Sequence, residues 1–161
     1  MLAVRYDFNI LYDEECDDSI DCATHITQFL EDNGLNGFLF ERDCPIGGDI
    51  LDTMFNSIKH SRFTIALMTP QFVRKSWEIY KHKAAFMTLT KGRQNGVSCL
   101  LPMAYKLPRD EVREHVRFLV TQKVVQLKDD YRSDSEAKND LLRIMKIQDV
   151  GIVKSKCILQ D

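Results

Sequence analysis

Apolar residues follow two alternating patterns along this chain of 161 residues. Short, nearly unbroken apolar runs occur at residues 6–12, 36–40, 62–68, 97–104 and 124–127. Each run has the length of a β-strand, and unbroken apolar runs are typical of parallel strands that are covered on both faces. The runs therefore predict a parallel sheet of five strands.

Between these runs, apolar residues recur every three or four positions, which predicts amphipathic helices. The predicted helices begin near residues 19, 49, 76, 110 and 133. Gly34 is the predicted stop of the first helix, Asp49 the N-cap of the second and Ser76 the cap of the third. Either Ser133 or Asp134 is predicted to cap the last helix.

Five strands that alternate with about five helices predict an α/β domain of flavodoxin-like type, with the sheet between two layers of helices. No repeat or long linker divides the sequence, so we expect one domain over residues 1–161, with its core at about 5–148 and a C-terminal tail at 149–161. The hydrophobic content of 44% and the mass of 18.7 kDa fit a folded domain of this kind.

Charge and cysteine content argue against several classes of protein. The formal net charge is −2, with basic and acidic residues interspersed, so binding to nucleic acid or to a membrane surface is not indicated. Five cysteines without a Cys-x-x-Cys pair favour a reducing compartment over a disulfide framework. No stretch approaches the roughly 18 apolar residues of a membrane span. We therefore expect a cytoplasmic domain without direct membrane insertion.

The segment between the second strand and the second helix, residues 41–49, contains the densest turn signal in the chain. Pro45 fixes its own φ angle, and Gly47 and Gly48 tolerate left-handed dihedral angles, so an irregular exposed loop is predicted. Loops held between a buried strand and a helix often carry function. The candidate interaction residues of this loop are Arg42, Asp43, Cys44, Pro45, Ile46, Gly47 and Gly48.

The same segment resembles the second conserved box of Toll/interleukin-1 receptor (TIR) domains, which reads Arg-Asp, two residues, then Pro-Gly. Arg42, Asp43 and Gly47 occupy the expected positions. Pro45 stands one position early, and Ile46 takes the usual place of the proline. The resemblance implies a TIR fold in which this loop follows the second strand.

Further segments extend the resemblance over about residues 5–148. The residues that match the first TIR box are Tyr6, Asp7, Ile10 and Tyr12. Asn9 and Leu11 depart from that box. A Thr-Pro pair at residues 69–70 leads, as is common in the family, to a helix that begins at Trp77. The third box, normally Phe-Trp near the last helix, is absent, and Leu141 and Leu142 stand in that region.

TIR domains are of two functional kinds, since some resemble glycohydrolases that split NAD and others only assemble. In the enzymes a catalytic glutamate lies four residues after the tryptophan position, which is Lys81 here. A carboxylate stabilises the cation that forms at the ribose carbon, whereas an ammonium about 4 Å away would oppose it by roughly 4 kcal/mol at an effective dielectric of about 20. We therefore expect a domain that is not an enzyme.

Two alternatives remain open from the sequence. Glu78 is the carboxylate near Lys81, and it could serve an NAD glycohydrolase as an atypical catalytic group. The simpler interpretation is that Glu78 pairs with Lys81 or His82 on the exposed flank of the helix. The second alternative is an inactive TIR domain that binds a nucleotide as a regulatory ligand in the same cleft. No cofactor is otherwise expected.

For a non-catalytic member, the resemblance implies homotypic assembly in innate immune signalling. Pro45 and Ile46 would form the apolar tip of a loop that inserts into a neighbouring TIR domain. Arg42 and Asp43 would either complement charge on that neighbour or only bridge each other and hold the loop in shape. Expected partners are other TIR-domain proteins, receptor or adaptor, and further copies of this chain as a homo-oligomer.

The third helix and the segment just before it supply a second predicted interaction surface. Its residues are Arg74, Lys75, Trp77, Lys81 and His82, although the ring of Trp77 is expected to pack in the core. This basic surface stands against an acidic cluster at residues 13–18, and opposite charges on different faces favour head-to-tail assembly. The competing interpretation is an ordinary solvated face.

Metal binding is not predicted. The acids at 13–18 follow the first strand, where phospho-acceptor receiver domains keep metal ligands, but residues 68–70 lack the aspartate that a receiver places after its third strand. These acids are expected to form a solvated loop that complements the helix dipole. Cys16, Cys22 and His25 supply three ligands at most, and Cys22 lies on the predicted core face.

Overall fold

The computed structural model describes residues 5–82, 93–94, 97–117 and 124–146 of the chain. Its strands are β1 (Tyr6–Leu11), β2 (Gly37–Phe38), β3 (Ser61–Met68), β4 (Arg93–Gln94), β5 (Val97–Ser98), β6 (Leu100–Tyr105) and β7 (Val125–Leu127). Its helices are α1 (Asp17–Asp32), α2 (Phe40–Asp43), α3 (Ile50–Lys59), α4 (Pro70–Lys75), α5 (described over 77–82), α6 (Arg109–Val116) and α7 (described over 135–146).

Five strands form one parallel sheet in the order β2-β1-β3-β6-β7. This is the strand order of the flavodoxin-like fold, so the predicted fold class is confirmed. The predicted fourth strand at 97–104 is divided: the parallel strand β6 begins at Leu100, and Val97–Ser98 (β5) instead form a short antiparallel pair with β4. The apolar pattern did not predict this pair, because strands of two residues leave no period to detect. The loops that follow the five parallel strands all lie along the carboxyl edge of the sheet.

Helices cover both faces of the sheet, and each face has its own apolar core. α1 and α7 pack on one face against side chains that include Ile10 and Ile65. α3, α4, α5 and α6 pack on the other face around residues such as Ala66 and Met68. Ile65 and Ala66 are both fully buried, although they point to opposite faces of β3. Burial on both sides is the reason why the apolar run of β3 is unbroken.

The described ends of α1, α3 and α7 follow the predicted caps, whereas Ser76, the predicted cap of the third helix, is the C-cap of α4 and separates it from α5. Gly34 follows α1 with φ +94°, a left-handed angle that glycine adopts without strain. The side chain of Asp49 accepts a backbone N–H at the start of α3 at 2.9 Å. Asp134, rather than Ser133, caps α7, since its Oδ1 accepts the N–H of Ala137 at 3.1 Å. Residues 83–92 of the predicted third helix and the predicted tail at 149–161 lie outside the described residues.

In the described part of the chain, every helix is too short or too polar to cross a lipid bilayer.

Candidate functional site

A one-turn helix, α2, opens the candidate interaction loop. The sequence pattern extended the second strand to residue 40 and placed Arg42 and Asp43 in irregular chain, and this prediction is wrong. The N–H of Leu39 donates to Asp43 Oδ2 at 2.9 Å, and the N–H of Asp43 donates to the carbonyl oxygen of Leu39 at 2.8 Å. The carboxylate of Asp43 therefore closes the backbone into a helical turn that ends the strand at Phe38.

Arg42 ties this turn to α1. Its guanidinium donates to both carboxylate oxygens of Glu31 at 2.7 and 3.0 Å, and to both oxygens of Asp43 at 2.9 Å. A further bond reaches the carbonyl oxygen of Gly37 at 3.0 Å. Hydrogen bonds with Glu31 and then Asp43 raise the pKa of Arg42 above its ordinary value. Arg42 is thus a local bridge, as one of the two sequence interpretations proposed.

The tip of the loop presents one apolar side chain to solvent. The N–H of Gly48 donates to the carbonyl oxygen of Pro45 at 3.0 Å and closes a turn. Gly47, at the third position of this turn, has φ +80°, which type II turns require at that position. Ile46, at the second position, has a relative exposure of 107%, so its side chain is free of contacts with the rest of the described chain. Cys44 is half-buried beneath the tip.

Two further apolar side chains continue from the tip onto α3. Ile50 is 49% exposed and Leu51 is 40% exposed. The apolar spacing that predicts this helix puts both residues on its inner face, together with Met54, Phe55 and Ile58. That prediction is wrong for Ile50 and Leu51, because the first turn of α3 lies at the margin of the core. Met54 and Ile58, further along the same helix, are buried as predicted. Ile46, Ile50 and Leu51 together form an exposed apolar strip, which we call the tip strip.

The second predicted surface is partly buried. Trp77 is 1% exposed and its ring packs beside Phe72. The prediction that its ring packs in the core is confirmed, and its inclusion in an exposed interaction surface is wrong. Arg74, Lys75 and His82 are exposed, as a surface requires. Lys75 Nζ lies 3.8 Å from a carboxylate oxygen of Glu15 in the loop that follows β1.

Lys81 lies at the margin of the core, with its side chain 26% exposed. Its Nζ is 2.7 Å from Glu78 Oε2, so the predicted pairing of these two residues is confirmed. The hydrogen bond from Lys81 lowers the pKa of Glu78, which keeps the carboxylate ionised. The adjacent Tyr80 is buried, and burial together with the Glu14 carboxylate raises its pKa to about 12.

The acids that follow β1 are not uniformly solvated, which corrects the prediction for Asp13. Asp13 is 3% exposed, and its Oδ1 accepts the N–H of Glu15 at 3.1 Å. Burial, followed by the carboxylates of Asp13, Glu15 and Glu41, raises the pKa of the half-buried Glu14. The hydroxyl of Tyr12 accepts the N–H of Glu41 at 3.0 Å and joins the loops after β1 and β2. No pattern in the sequence predicts this contact.

The remaining metal candidates are Cys16, Cys22 and His25, of which Cys22 and His25 lie on α1. Cys22 is fully buried in the core, and burial raises the pKa of its thiol to about 12. Over the described residues, no three His, Cys, Asp or Glu side chains are grouped so as to hold a metal ion.

A family model for the TIR domain matches residues 9–142. The chain belongs to the TIR domain family. Among characterised TIR proteins, the 2' cyclic ADP-D-ribose synthase BtTIR of Bacteroides thetaiotaomicron is 26% identical over 108 residues, which cover 67% of this chain and 36% of that protein. The NAD(+) hydrolase TirS of Staphylococcus aureus is 26% identical over 103 residues, which cover 64% of this chain and 36% of that protein. The matched region is thus a minor part of either relative.

Solved structures of TIR proteins share the fold. The metazoan TIR-STING receptor from C. gigas, in complex with 2',3'-cGAMP, superposes with a TM-score of 0.61 at 21% identity, over 88% of this chain and 39% of that chain. The TIR domains of the activated Roq1 resistosome give a TM-score of 0.61 at 15% identity, over 87% of this chain and 99% of that chain. At these identities the likeness shows the fold alone.

Proposed function

We propose that this TIR domain is an assembly module of innate immune signalling, which associates with other TIR domains through its loop 41–49 and the segment formed by α4 and α5, and which does not cleave NAD. The observation that carries the proposal is the full exposure of Ile46 at the tip of a loop whose two ends are fixed. The activated Roq1 resistosome, to which the fold is similar, is an assembly that contains TIR domains.

Burial of the tip strip in a partner would stabilise a complex. Transfer of one isoleucine side chain from water to an apolar contact contributes about 1.5–3 kcal/mol, or roughly tenfold to a hundredfold in affinity. Because Arg42 and Asp43 already fix the start of the loop and Asp49 fixes its end, little conformational freedom is lost when the tip is buried.

Charge on α4 and α5 supports an orientation for such an assembly. Arg74 and Lys75 at the end of α4 and His82 on α5 are exposed, whereas the exposed Asp17 stands in the first turn of α1. In a head-to-tail assembly, the basic side of one subunit would face the acidic turn of the next.

The proposed lack of NAD cleavage rests on Lys81. Its ammonium, which is paired with Glu78, occupies the position of the catalytic glutamate implied by the TIR resemblance. The partly exposed pair with Lys81 costs little to break, so what disfavours Glu78 is the positive charge of Lys81 beside it, which opposes a developing cation.

NAD cleavage is the second candidate function, because one relative, TirS, is described as an NAD(+) hydrolase and the other, BtTIR, as a 2' cyclic ADP-D-ribose synthase. Glu78 is one carboxylate that could serve it. Glu14 is the other, since it is half-buried and interacts electrostatically with the buried Tyr80. A carboxylate in such surroundings stabilises a developing cation more strongly than one in open water.

Light scattering tests the assembly. We expect Ile46→Asp and Pro45→His to abolish concentration-dependent association while circular dichroism shows the native fold. Thr24→Asp, which adds the same charge on the exposed side of α1, is the matched control and should leave association unchanged. Assembly of Ile46→Asp at the parent level would contradict the proposal.

Nicotinamide release from NAD tests the chemistry. The parent protein, Lys81→Glu, Glu78→Ala and Glu14→Gln are compared at high protein concentration. Absence of release from the parent supports the scaffold. Release by the parent that disappears in Glu78→Ala or Glu14→Gln would instead establish the enzyme and identify its carboxylate.

A further inference from the structure

A cavity of about 390 Å³ opens at the carboxyl edge of the sheet, where the loops that follow β1, β3 and β6 meet. β1 leads to α1 on one face of the sheet, whereas β3 leads to α4 on the other face. In open α/β sheets, ligands bind at the crevice where the winding reverses in this way. Cavities that hold small organic ligands measure about 300–1,000 Å³. Position and volume therefore fit a small-molecule site.

The charged side chains that line this cavity are Arg74, Lys106 and Asp18. Lys106 Nζ lies 2.9 Å from Asp18 Oδ2. The hydroxyl of Tyr105 reaches both oxygens of the same carboxylate at 3.0 Å. The carboxylate of Asp18 is thus paired with Lys106, and Arg74 is a second cation in the lining. Two cations and one carboxylate leave the lining with an excess of positive charge, which favours an anionic ligand.

The backbone at Lys106 is strained. Its φ angle is +56°, and no other residue except glycine has a positive φ angle within the described ranges. A left-handed conformation costs an L-residue about 1–2 kcal/mol, and such strain is concentrated at functional sites. Glycine would remove the strain, but it would also remove the ammonium group, which is half-exposed beside the cavity and lies over the ring of Tyr105 at 5.4 Å.

The N-terminus of α1 meets the same cavity. Cys16, its N-cap residue, and Ser19 line the cavity, and the side chain of Cys16 makes no capping hydrogen bond. The first N–H groups of a helix carry partial positive charge and bind phosphate oxygens, and here they share the first turn with the carboxylates of Asp17 and Asp18. Because these carboxylates offset part of that positive charge, the cations Arg74 and Lys106 supply the main attraction for a phosphate.

We propose that this cavity binds a small phosphomonoester, with its phosphate held by Arg74, Lys106 and the first turn of α1. A phosphomonoester carries close to two negative charges and three acceptor oxygens, which match two cationic side chains and a helix N-terminus. The rest of the cavity, which is larger than a phosphate group, receives the organic part of the ligand. Lys81 and Glu78 do not line this site.

Titration monitored by amide NMR tests the site, with ribose 5-phosphate and AMP as probes and adenosine as the control without phosphate. We expect at least one phosphate probe to shift the amides of residues 16–19, 69–71 and 106, and adenosine to shift none of them. Lys106→Gly removes the ammonium and suits the left-handed backbone, and Arg74→Gln removes the second cation. Each variant should weaken binding by about tenfold or more.

Lys75→Gln is the matched control, since Lys75 is the cationic neighbour of Arg74 and does not line the cavity. Its binding should change by less than about threefold, because an exposed charge outside the site is screened by salt. Equal binding of AMP and adenosine, absence of binding by both phosphate probes, or unchanged binding by Lys106→Gly would overturn the proposal. Arg74 also belongs to the predicted assembly surface, whereas Lys106 does not. Lys106→Gly should therefore lose phosphate binding and still assemble in light scattering, so that a failure of this site can be told from a failure of assembly.

Discussion

Replacement of the buried Asn9 by aspartate is expected to destabilise the fold in a pH-dependent manner. Asn9 is fully buried at the centre of β1. Its Nδ2 donates to Ser57 Oγ on α3 at 3.1 Å, and its Oδ1 accepts the hydroxyl of Thr64 on β3 at 2.7 Å. The hydroxyl of Ser57 itself donates to the carbonyl oxygen of Met54 at 2.7 Å. An aspartate of the same shape would lose the donor that this network needs.

The magnitude of the effect follows from the two forms that the aspartate can take. The ionised form places an uncompensated charge in the core, which costs about 3–5 kcal/mol. The protonated form restores the donor to Ser57, but protonation from an ordinary pKa of about 3.9 costs about 5 kcal/mol at pH 7.5 and only about 2 kcal/mol at pH 5.5. The folded-state pKa is therefore raised above the unfolded value, and the loss of stability becomes smaller as the pH falls.

Urea unfolding of Asn9→Asp at about pH 7.5 and about pH 5.5 measures both effects. We expect a deficit of about 3–5 kcal/mol at the higher pH that falls to about 2 kcal/mol at the lower pH. Asn56→Asp makes the same chemical change at an exposed position of α3 and should cost less than about 0.5 kcal/mol at either pH. A loss of unfolding free energy in Asn9→Asp that is below about 1 kcal/mol, or that is the same at both pH values, would refute the reasoning.

Three further predictions concern single positions. Gly37→Ala would place its Cβ against the ring of buried Phe8, so we expect a loss of about 1–3 kcal/mol or more in urea unfolding. Lys138 Nζ lies 2.7 Å from His25 Nε2, and burial and this ammonium lower the pKa of His25. Because His25 then binds a proton more tightly in the unfolded state, the unfolding free energy should fall as the pH drops below about 6.5. His25→Gln should show a smaller fall in unfolding free energy over the same pH range. In urea unfolding, Lys106→Gly should be more stable than Lys106→Ala by about 1 kcal/mol, because alanine at this position retains the strain of a left-handed backbone and glycine does not.

Local features of the fold were predictable from the sequence, and contacts between distant segments were not. Gly34 and Asp49 act within one helical turn of their own positions, so their cap roles can be deduced from neighbouring residues alone. The bridge from Arg42 to Glu31 joins residues that are far apart in sequence, and no period connects them. Lys106 is a similar case, since a left-handed angle after a strand is usually signalled by glycine or asparagine.

Trp77 and Lys81 both belong to the predicted second surface, and Lys81 lies one turn further along the same side of the helix. The structure separates the two by depth, since Trp77 is buried and the longer Lys81 side chain reaches the margin of the core. Long cationic side chains commonly keep their stems on apolar surface and their charge in water. Helical spacing gives the direction in which a side chain points, and the length of the side chain decides whether its charged end reaches solvent.

The two roles that the sequence left open for Arg42 are distinguished by its partner on α1. If Arg42 only holds the loop, Glu31→Ala should weaken assembly in the same direction as Arg42→Ala, although Glu31 lies outside the loop. The pair is partly exposed, so each variant should lose only about 0.5–1 kcal/mol of stability. Light scattering of the two variants beside Ile46→Asp measures the effect on assembly. A loss of assembly in Arg42→Ala with none in Glu31→Ala would show that Arg42 contacts the partner directly. The bonds from Arg42 to Glu31, Asp43 and Gly37 favour the opposite result, because they leave the guanidinium few donors for a neighbouring subunit.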